Sequence, residues 1–148
     1  MDIANKIYEI LDKCKADIQA QMASGGVNAS GRTSASLKVE SYPGGVRLVS
    51  RGQNIAPFET LEVGRAGGKV PYNFTQILTQ WSRDKGIAFT KERERRTFAY
   101  LLGKKIAKIG TKRHREPRND IYTPAVTKVV EEIRTIVMAE IKEQIKTN

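Results

Sequence analysis

Residues 123–145 read TPAVTKVVEEIRTIVMAEIKEQI, and the order of apolar and polar residues in this stretch decides the fold class. Most apolar residues recur every three or four positions, which places them along one face of an α-helix. They are Val126, Val129, Val130, Ile133, Ile136, Val137, Ile141 and Ile145. Thr123 is suited to cap this helix, and Pro124 to occupy its first position. The stretch predicts a long C-terminal helix with one apolar face.

The start of the chain repeats this pattern and predicts a second long helix over residues 3–23. Its apolar stripe consists of Ile3, Ile7, Ile10, Leu11, Cys14, Ile18 and Met22. Residues 37–49 alternate between apolar and polar around a Pro-Gly-Gly turn, which predicts a β-hairpin. The expected fold class is α+β, with long N- and C-terminal helices packed on a small antiparallel β-sheet.

Two further helices are predicted between the hairpin and the last helix. Residues 73–85 carry Phe74, Ile77, Leu78 and Trp81 at helical spacing, and residues 90–109 carry a stripe from Phe98 to Ile109, with Thr90 as the cap. The stripe that includes Trp81 is either core or an interface anchor, and its regular phase favours core. Residues 53–72 are broken by glycine and proline, and predict a loop with a helical turn or a short strand.

The length of 148 residues suits one domain over residues 1–148. Residues 24–36 and 111–122 are rich in small or polar residues and are predicted to be flexible loops. No apolar run approaches the roughly 18 residues that a membrane helix needs, and the first residues lack a signal-peptide pattern. We therefore expect synthesis in the cytoplasm and no membrane partner.

The net charge of +10 is concentrated in one region. Residues 83–118 hold thirteen Lys or Arg against four Asp or Glu, whereas the rest of the chain holds thirteen against twelve. Such a region predicts a surface that faces DNA phosphates or an acidic partner. The candidate residues are Arg93, Arg95, Arg96, Lys104, Lys105, Lys112, Arg113, Arg115 and Arg118. The alternative is a solvated helix face, which Glu92 and Glu94 among the arginines favour.

Residues 64–69, GRAGGK, invite comparison with a phosphate-binding loop. The spacing of the glycines differs from that motif, and Val70 and Pro71 follow where a Ser or Thr and a helix are needed. A turn between two elements is the favoured interpretation. Arg65 and Lys69 remain candidates for docking to a partner.

Catalytic and metal chemistry have little support in the sequence. Cys14 and His114 are the only residues of their types, so neither a zinc cluster nor a Cys/His pair is expected. Glu59 and Glu62 could share a helix face, but no neighbouring nucleophile or ligand completes a mechanism. We expect no enzymatic activity, no cofactor and no metal.

Several short motifs, taken in chain order, resemble the neck and tail-completion proteins of long-tailed bacteriophages. The small-residue stretch 29–37 before the hairpin is similar to the family's loop, and residues 56–65 to its segment before a glycine-rich turn. The further matches are Pro71, Ile77, Trp81, Lys85, Gly86, Ile87, Gly110, Thr111, Pro124 and Ala125. The resemblance spans most of the chain. The basic loop 113–118 and the spacing of Glu59 and Glu62 depart from the family pattern.

The resemblance implies a structural virion protein of the head-tail connector, assembled in the host cytoplasm and located in the neck. It implies a homo-oligomeric ring, six- or twelvefold, that contacts other neck, portal-adaptor and tail proteins. Non-specific contact with packaged DNA fits the cationic region. A free-standing basic nucleic-acid-binding module is the alternative, and a DNA-processing enzyme is a third hypothesis that lacks a recognisable site.

Overall fold

A computed structural model of the protein describes residues 2–52 and 55–147. It confirms the α+β class, with long N- and C-terminal helices, a two-stranded antiparallel sheet and shorter helices between them. The elements are α1 (Ile3–Ser24), α2 (Arg32–Ala35), β1 (Leu37–Tyr42), β2 (Gly45–Ser50), α3 (Ile55–Val63), α4 (Phe74–Asp84), α5 (Glu92–Ile109), α6 (Lys112–Arg115) and α7 (Thr123–Thr147).

The main core lies between α1, the β-hairpin and α7. It is formed by Cys14, Ile18, Met22, Leu37, Ile121, Ala125 and Val129. Ile18, Met22 and Ile121 are each 1% exposed. Burial of one such side chain contributes about 1.5–3 kcal/mol, so these three apolar residues are major contributors to the stability of the α1–α7 pair.

The helices α1 and α7 run antiparallel. The end of α1 lies beside the start of α7. This is shown by Gly25, where an added Cβ atom would lie 3.3 Å from the Ile121 side chain. Further back along α1, the Cys14 thiol lies within the electrostatic reach of Glu132 on α7. The β-hairpin packs on α1, and its register pairs Leu37 with Ser50.

A second, smaller core joins α4 to α5. Leu78 on α4 packs against Ala99 and Ile106 on α5, with Phe74 and Leu102 at its margin. Gly103 faces Leu78 at close range, since a Cβ atom there would lie 3.4 Å from the leucine side chain. The α4–α5 pair, which carries most of the cationic region, therefore has its own apolar contact.

Two local predictions need correction, and two predicted loops each contain a helical turn. Part of the predicted loop 53–72 is the nine-residue helix α3, whereas Gln53 and Asn54 lie outside the described residues. The expected loops 24–36 and 111–122 contain the single-turn helices α2 and α6. Ile121, at the end of the second loop, is buried because it fills the main core. The cap position of α5 is Lys91 rather than Thr90, and its N–H donates to Glu94 at 3.3 Å.

Candidate nucleic-acid interface

The outer face of α5 is an accessible part of the cationic region. Ala99, Gly103 and Ile106 are the buried residues of this helix and turn its opposite side to solvent. The exposed cations of α5 are Arg93, Arg96, Lys104, Lys105 and Lys108. Exposed apolar groups lie among them, including Leu101 (59% exposed) and Tyr100, whose ring centroid is 4.9 Å from the Lys104 Nζ atom. This mixed face can contact phosphates and apolar partner groups together.

Arg95 lies apart from that face and holds α5 to α4. Its guanidinium donates to the buried Ser82 hydroxyl at 2.9 Å and lies 4.9 Å from the centroid of the Phe89 ring. Its Nε atom is 3.4 Å from a Glu92 carboxylate oxygen. Arg95 was predicted to face DNA or a partner, but in the structure it makes an internal contact.

The basic residues of α6 and the following loop form a second cluster. Lys112, Arg115 and Arg118 are exposed. Arg113 instead pairs with Asp120, with 2.7 Å between their nearest nitrogen and oxygen atoms. This guanidinium holds the pKa of Asp120 below its usual value. Three of the four predicted cations in this segment are thus turned to solvent.

The glycine-rich segment 64–68 is packed against the end of α5 and against α6. The Arg65 N–H donates to the Thr111 hydroxyl at 2.9 Å, and the Gly68 N–H donates to the Ala107 carbonyl at 2.7 Å. The Arg65 guanidinium donates to the Lys69 carbonyl at 2.8 Å and lies over the Phe74 ring. These amides already have partners, so the segment is a packed turn rather than a phosphate cradle, and Lys69 is its exposed cation.

Glu62 is the buried residue whose role the sequence did not predict. Its side chain is among the largest that are fully buried, at 1% exposure. One carboxylate oxygen accepts N–H groups from Ile121, Tyr122 and Thr123 at 2.9, 2.7 and 2.8 Å. The other accepts the Thr123 hydroxyl at 2.5 Å. Glu62 on α3 therefore caps α7 from a distant part of the chain.

This arrangement corrects the prediction that Thr123 itself caps α7. α7 begins at Thr123 itself, and the Thr123 hydroxyl donates to Glu62. The carboxylate also accepts the Thr123 N–H and the N–H groups of Ile121 and Tyr122, the two residues before the helix. A negative charge at this end also suits the helix dipole. One signal was available, because Glu62 follows Phe58 by four residues and so lies on the same helix face.

The residues of α4 divide between core and groove. Leu78 and Phe74 pack on α5, as predicted for the apolar stripe. Trp81 and Ile77 instead line a groove of about 530 Å³ between α4 and the end of α1, and Ile77 is 45% exposed. The groove also contains Asp84, which lies 3.9 Å from Arg32 across it. Trp81 therefore lines a surface groove and is not part of the core between α4 and α5.

Cys14 is buried in the main core and is the free cysteine of the chain. Burial raises the pKa of its thiol, and the carboxylates of Asp17 and Glu132 raise it further. Within the described part of the chain, no three His, Cys, Asp or Glu residues are grouped so that they could hold a metal ion.

We expect the native Cys14 thiol to react slowly with an aromatic disulfide reagent, because the thiolate is the reactive form. The rate should rise to that of a free thiol in concentrated urea, as followed by absorbance. The folded-state pKa exceeds the unfolded value of about 8.5, so the linked stability is complete at neutral pH and declines above about pH 8.5. Fast labelling of the folded protein at neutral pH would contradict this burial.

Comparisons of the chain with protein-family models, with curated proteins and with solved structures found no match. Among the helices of residues 2–52 and 55–147, none has both the length and the apolar composition that crossing a membrane requires.

Proposed function

We propose that the protein is a structural component of the head-tail connector of a tailed bacteriophage. In this role it is a neck or tail-completion protein that joins the DNA-filled capsid to the tail. It acts by fitting between other proteins, catalyses no reaction and holds no cofactor. It assembles in the host cytoplasm and remains in the virion.

The observation that carries the proposal is an apolar strip on the solvent side of α7. We call Val126, Val130, Ile141 and Ile145 the α7 strip; they are 44, 57, 44 and 71% exposed. At about 100° per residue they fall within about 100° of the helix circumference. The exposed Arg134 and Gln144 fall within the same sector. Exposed apolar groups concentrated on one side of a surface helix are typical of a protein that is completed by a partner.

In a homo-oligomeric ring, contacts between subunits would cover the α7 strip. The cationic face of α5 would stay available for a different contact. The strip is on α7, which packs against α1, whereas the exposed cations are on α5, which packs against α4. A subunit with an apolar face and a distinct cationic face can contact neighbours with one and DNA phosphates with the other. Other neck, portal-adaptor and tail proteins are the further partners proposed.

The experiment places charge in the strip and measures assembly. Val130→Asp and Ile141→Asp should each prevent ring formation, because an ionised carboxylate is costly to bury in an apolar interface. Light scattering coupled to size-exclusion chromatography reports the mass. Tailed particles should also be purified from cells that produce either the wild-type chain or one variant. Quantitative mass spectrometry should find the wild-type chain in these particles at a fixed low copy number, and the strip variants at a lower one.

Thr135→Asp is the matched control, because it adds the same charge at an exposed position of α7 outside the strip. It should leave assembly unchanged. If the wild-type chain is absent from purified particles, the proposed function is wrong. If both strip variants assemble as well as the control, the strip is not the contact surface.

The alternative function, a free-standing nucleic-acid-binding module, is favoured by the exposed cations of α5. The two functions predict different behaviour for the isolated protein. A module would bind duplex DNA as a monomer, with an affinity that falls steeply with salt, and would stay behind when particles are purified.

A further inference from the structure

A polar groove of about 450 Å³ runs between α4 and α5, on the cationic side of the molecule. It is lined by Thr75, Gln76, Thr79 and Arg83 from α4, and by Arg96 from α5. We propose that this groove binds a phosphate group of a nucleic-acid backbone. The inference builds on the proposed function, because packaged DNA is the polyanion that the assembly would enclose.

The lining residues distinguish this groove from the polar clefts beside Trp81 and at α6. It is lined by two guanidinium side chains and three neutral polar ones, and no carboxylate is among them. The groove beside Trp81 contains Asp84, and the small cleft at α6 contains Glu116. A phosphate, which is repelled by carboxylates and bound by guanidinium groups, is therefore best accommodated between α4 and α5.

Arg96 is the cation of the groove that is available to a ligand. Arg83 donates to the carboxylate of Glu92, and this contact holds the pKa of Glu92 below its usual value. Arg96 lies within the electrostatic reach of the same Glu92 carboxylate. It makes no hydrogen bond or ion pair with any residue that the structure describes, so its guanidinium can turn to an incoming oxyanion.

Thr75 supplies a second group that lacks an internal partner. Its carbonyl accepts the Thr79 hydroxyl at 2.7 Å, but its own hydroxyl is unbonded within residues 2–52 and 55–147. Thr75 also lies in the first turn of α4, where the helix dipole is positive. A phosphate oxygen near this turn would meet a hydroxyl donor and a favourable potential.

The walls of the groove are held in place before any ligand arrives. Thr79 is 7% exposed and Ala99 is fully buried where the two helices meet. The hydrogen bond from Arg95 on α5 to the buried Ser82 on α4 holds the two helices together. A preformed site loses little conformational entropy on binding, so each contact contributes more to affinity.

The test measures duplex DNA binding by the purified full-length chain, with fluorescence anisotropy over a range of salt concentrations. Arg96→Ala should weaken binding about tenfold, as expected for loss of a charged hydrogen bond. Arg93→Ala is the matched control: an exposed arginine on the same helix but outside the groove. It should weaken binding only about twofold, through long-range electrostatics.

A neutral pair of variants separates specific contact from bulk charge. Thr75→Val removes the unbonded hydroxyl and should weaken binding about threefold. Thr97→Val removes a hydroxyl that bonds the Arg93 carbonyl on α5, away from the groove, and should have no effect. Equal losses for Arg96→Ala and Arg93→Ala, with no effect of Thr75→Val, would overturn the assignment.

Titration with inorganic phosphate, followed by NMR, distinguishes the two sources of the anion. Shifts around Arg96 at millimolar phosphate, together with DNA binding that is insensitive to Arg96→Ala, would indicate a site for free phosphate and overturn the nucleic-acid assignment. None of these measurements uses phage particles, so their failure would leave the assembly test intact, and failure of the assembly test would leave the groove intact.

Discussion

Replacing Glu62 with alanine is expected to lower the free energy of unfolding by about 3–5 kcal/mol, because it leaves buried donors without their acceptor. The Thr123 N–H at the start of α7, the N–H groups of Ile121 and Tyr122 just before it, and the Thr123 hydroxyl all donate to this carboxylate. Hydrogen bonds to charged groups are each worth about 1.5–3 kcal/mol, and water entering the site would restore part of that sum. Urea unfolding monitored by circular dichroism measures the loss.

Two further variants show whether the loss belongs to the cap. Glu62→Gln keeps one carbonyl oxygen for the N–H groups, and its NH2 can donate to the Thr123 hydroxyl, so the loss should be about 1–2 kcal/mol. Glu59→Gln removes a carboxylate from an exposed position on the same helix and should change stability by less than about 0.5 kcal/mol. Equal losses for Glu62→Ala and Glu59→Gln would mean that Glu62 does not support α7.

Replacing Gly64 with alanine should lower the free energy of unfolding by more than about 4 kcal/mol, because the added methyl group would collide with the backbone of a neighbouring segment. A Cβ atom at this position would lie 2.2 Å from the His114 backbone nitrogen and 2.5 Å from the Thr111 hydroxyl oxygen. Gly64 also has a φ of 68°, which costs other residues about 1–2 kcal/mol. The added methyl would push α6 away from the end of α3. Thermal unfolding by calorimetry reports the change.

Gly86→Ala is the control that separates conformation from collision. Gly86 has nearly the same φ, 71°, but a Cβ atom there would meet nothing within 4 Å. Its replacement should cost only the conformational part, about 1–2 kcal/mol. If the two alanine variants are equally destabilised, the close packing of Gly64 against α6 does not contribute to stability.

The sequence predicted the elements whose signals are local. The spacing of apolar residues in α1, α4, α5 and α7, and the Pro-Gly-Gly turn of the hairpin, are properties of neighbouring residues. Helix α3 was missed because Pro57 and Gly64 break the pattern near its ends, and only nine residues lie in the helix. The cap of α7 was assigned to Thr123 because a sequence pattern cannot show that Glu62, 61 residues earlier, accepts N–H groups at this end of the helix.

The sequence predicted nine candidate cations but not which of them have internal partners. Charge counting located the cationic stretch, yet it treated Arg93, Arg95 and Arg96 alike. Their different fates follow from helical phase: Arg95 precedes the buried Ala99 by four residues and so faces α4. The groove between α4 and α5 could not be predicted, because it depends on how the two helices are set against each other.

The separation of the main core from the smaller core of α4 and α5 has an evolutionary consequence. The two clusters share no residue, so substitutions in one should change stability almost independently of substitutions in the other. Lineages could therefore remodel the arginine and lysine pattern of the α4–α5 pair without changing the main core. The α1–α7 framework would retain its own stability while that divergence accumulated.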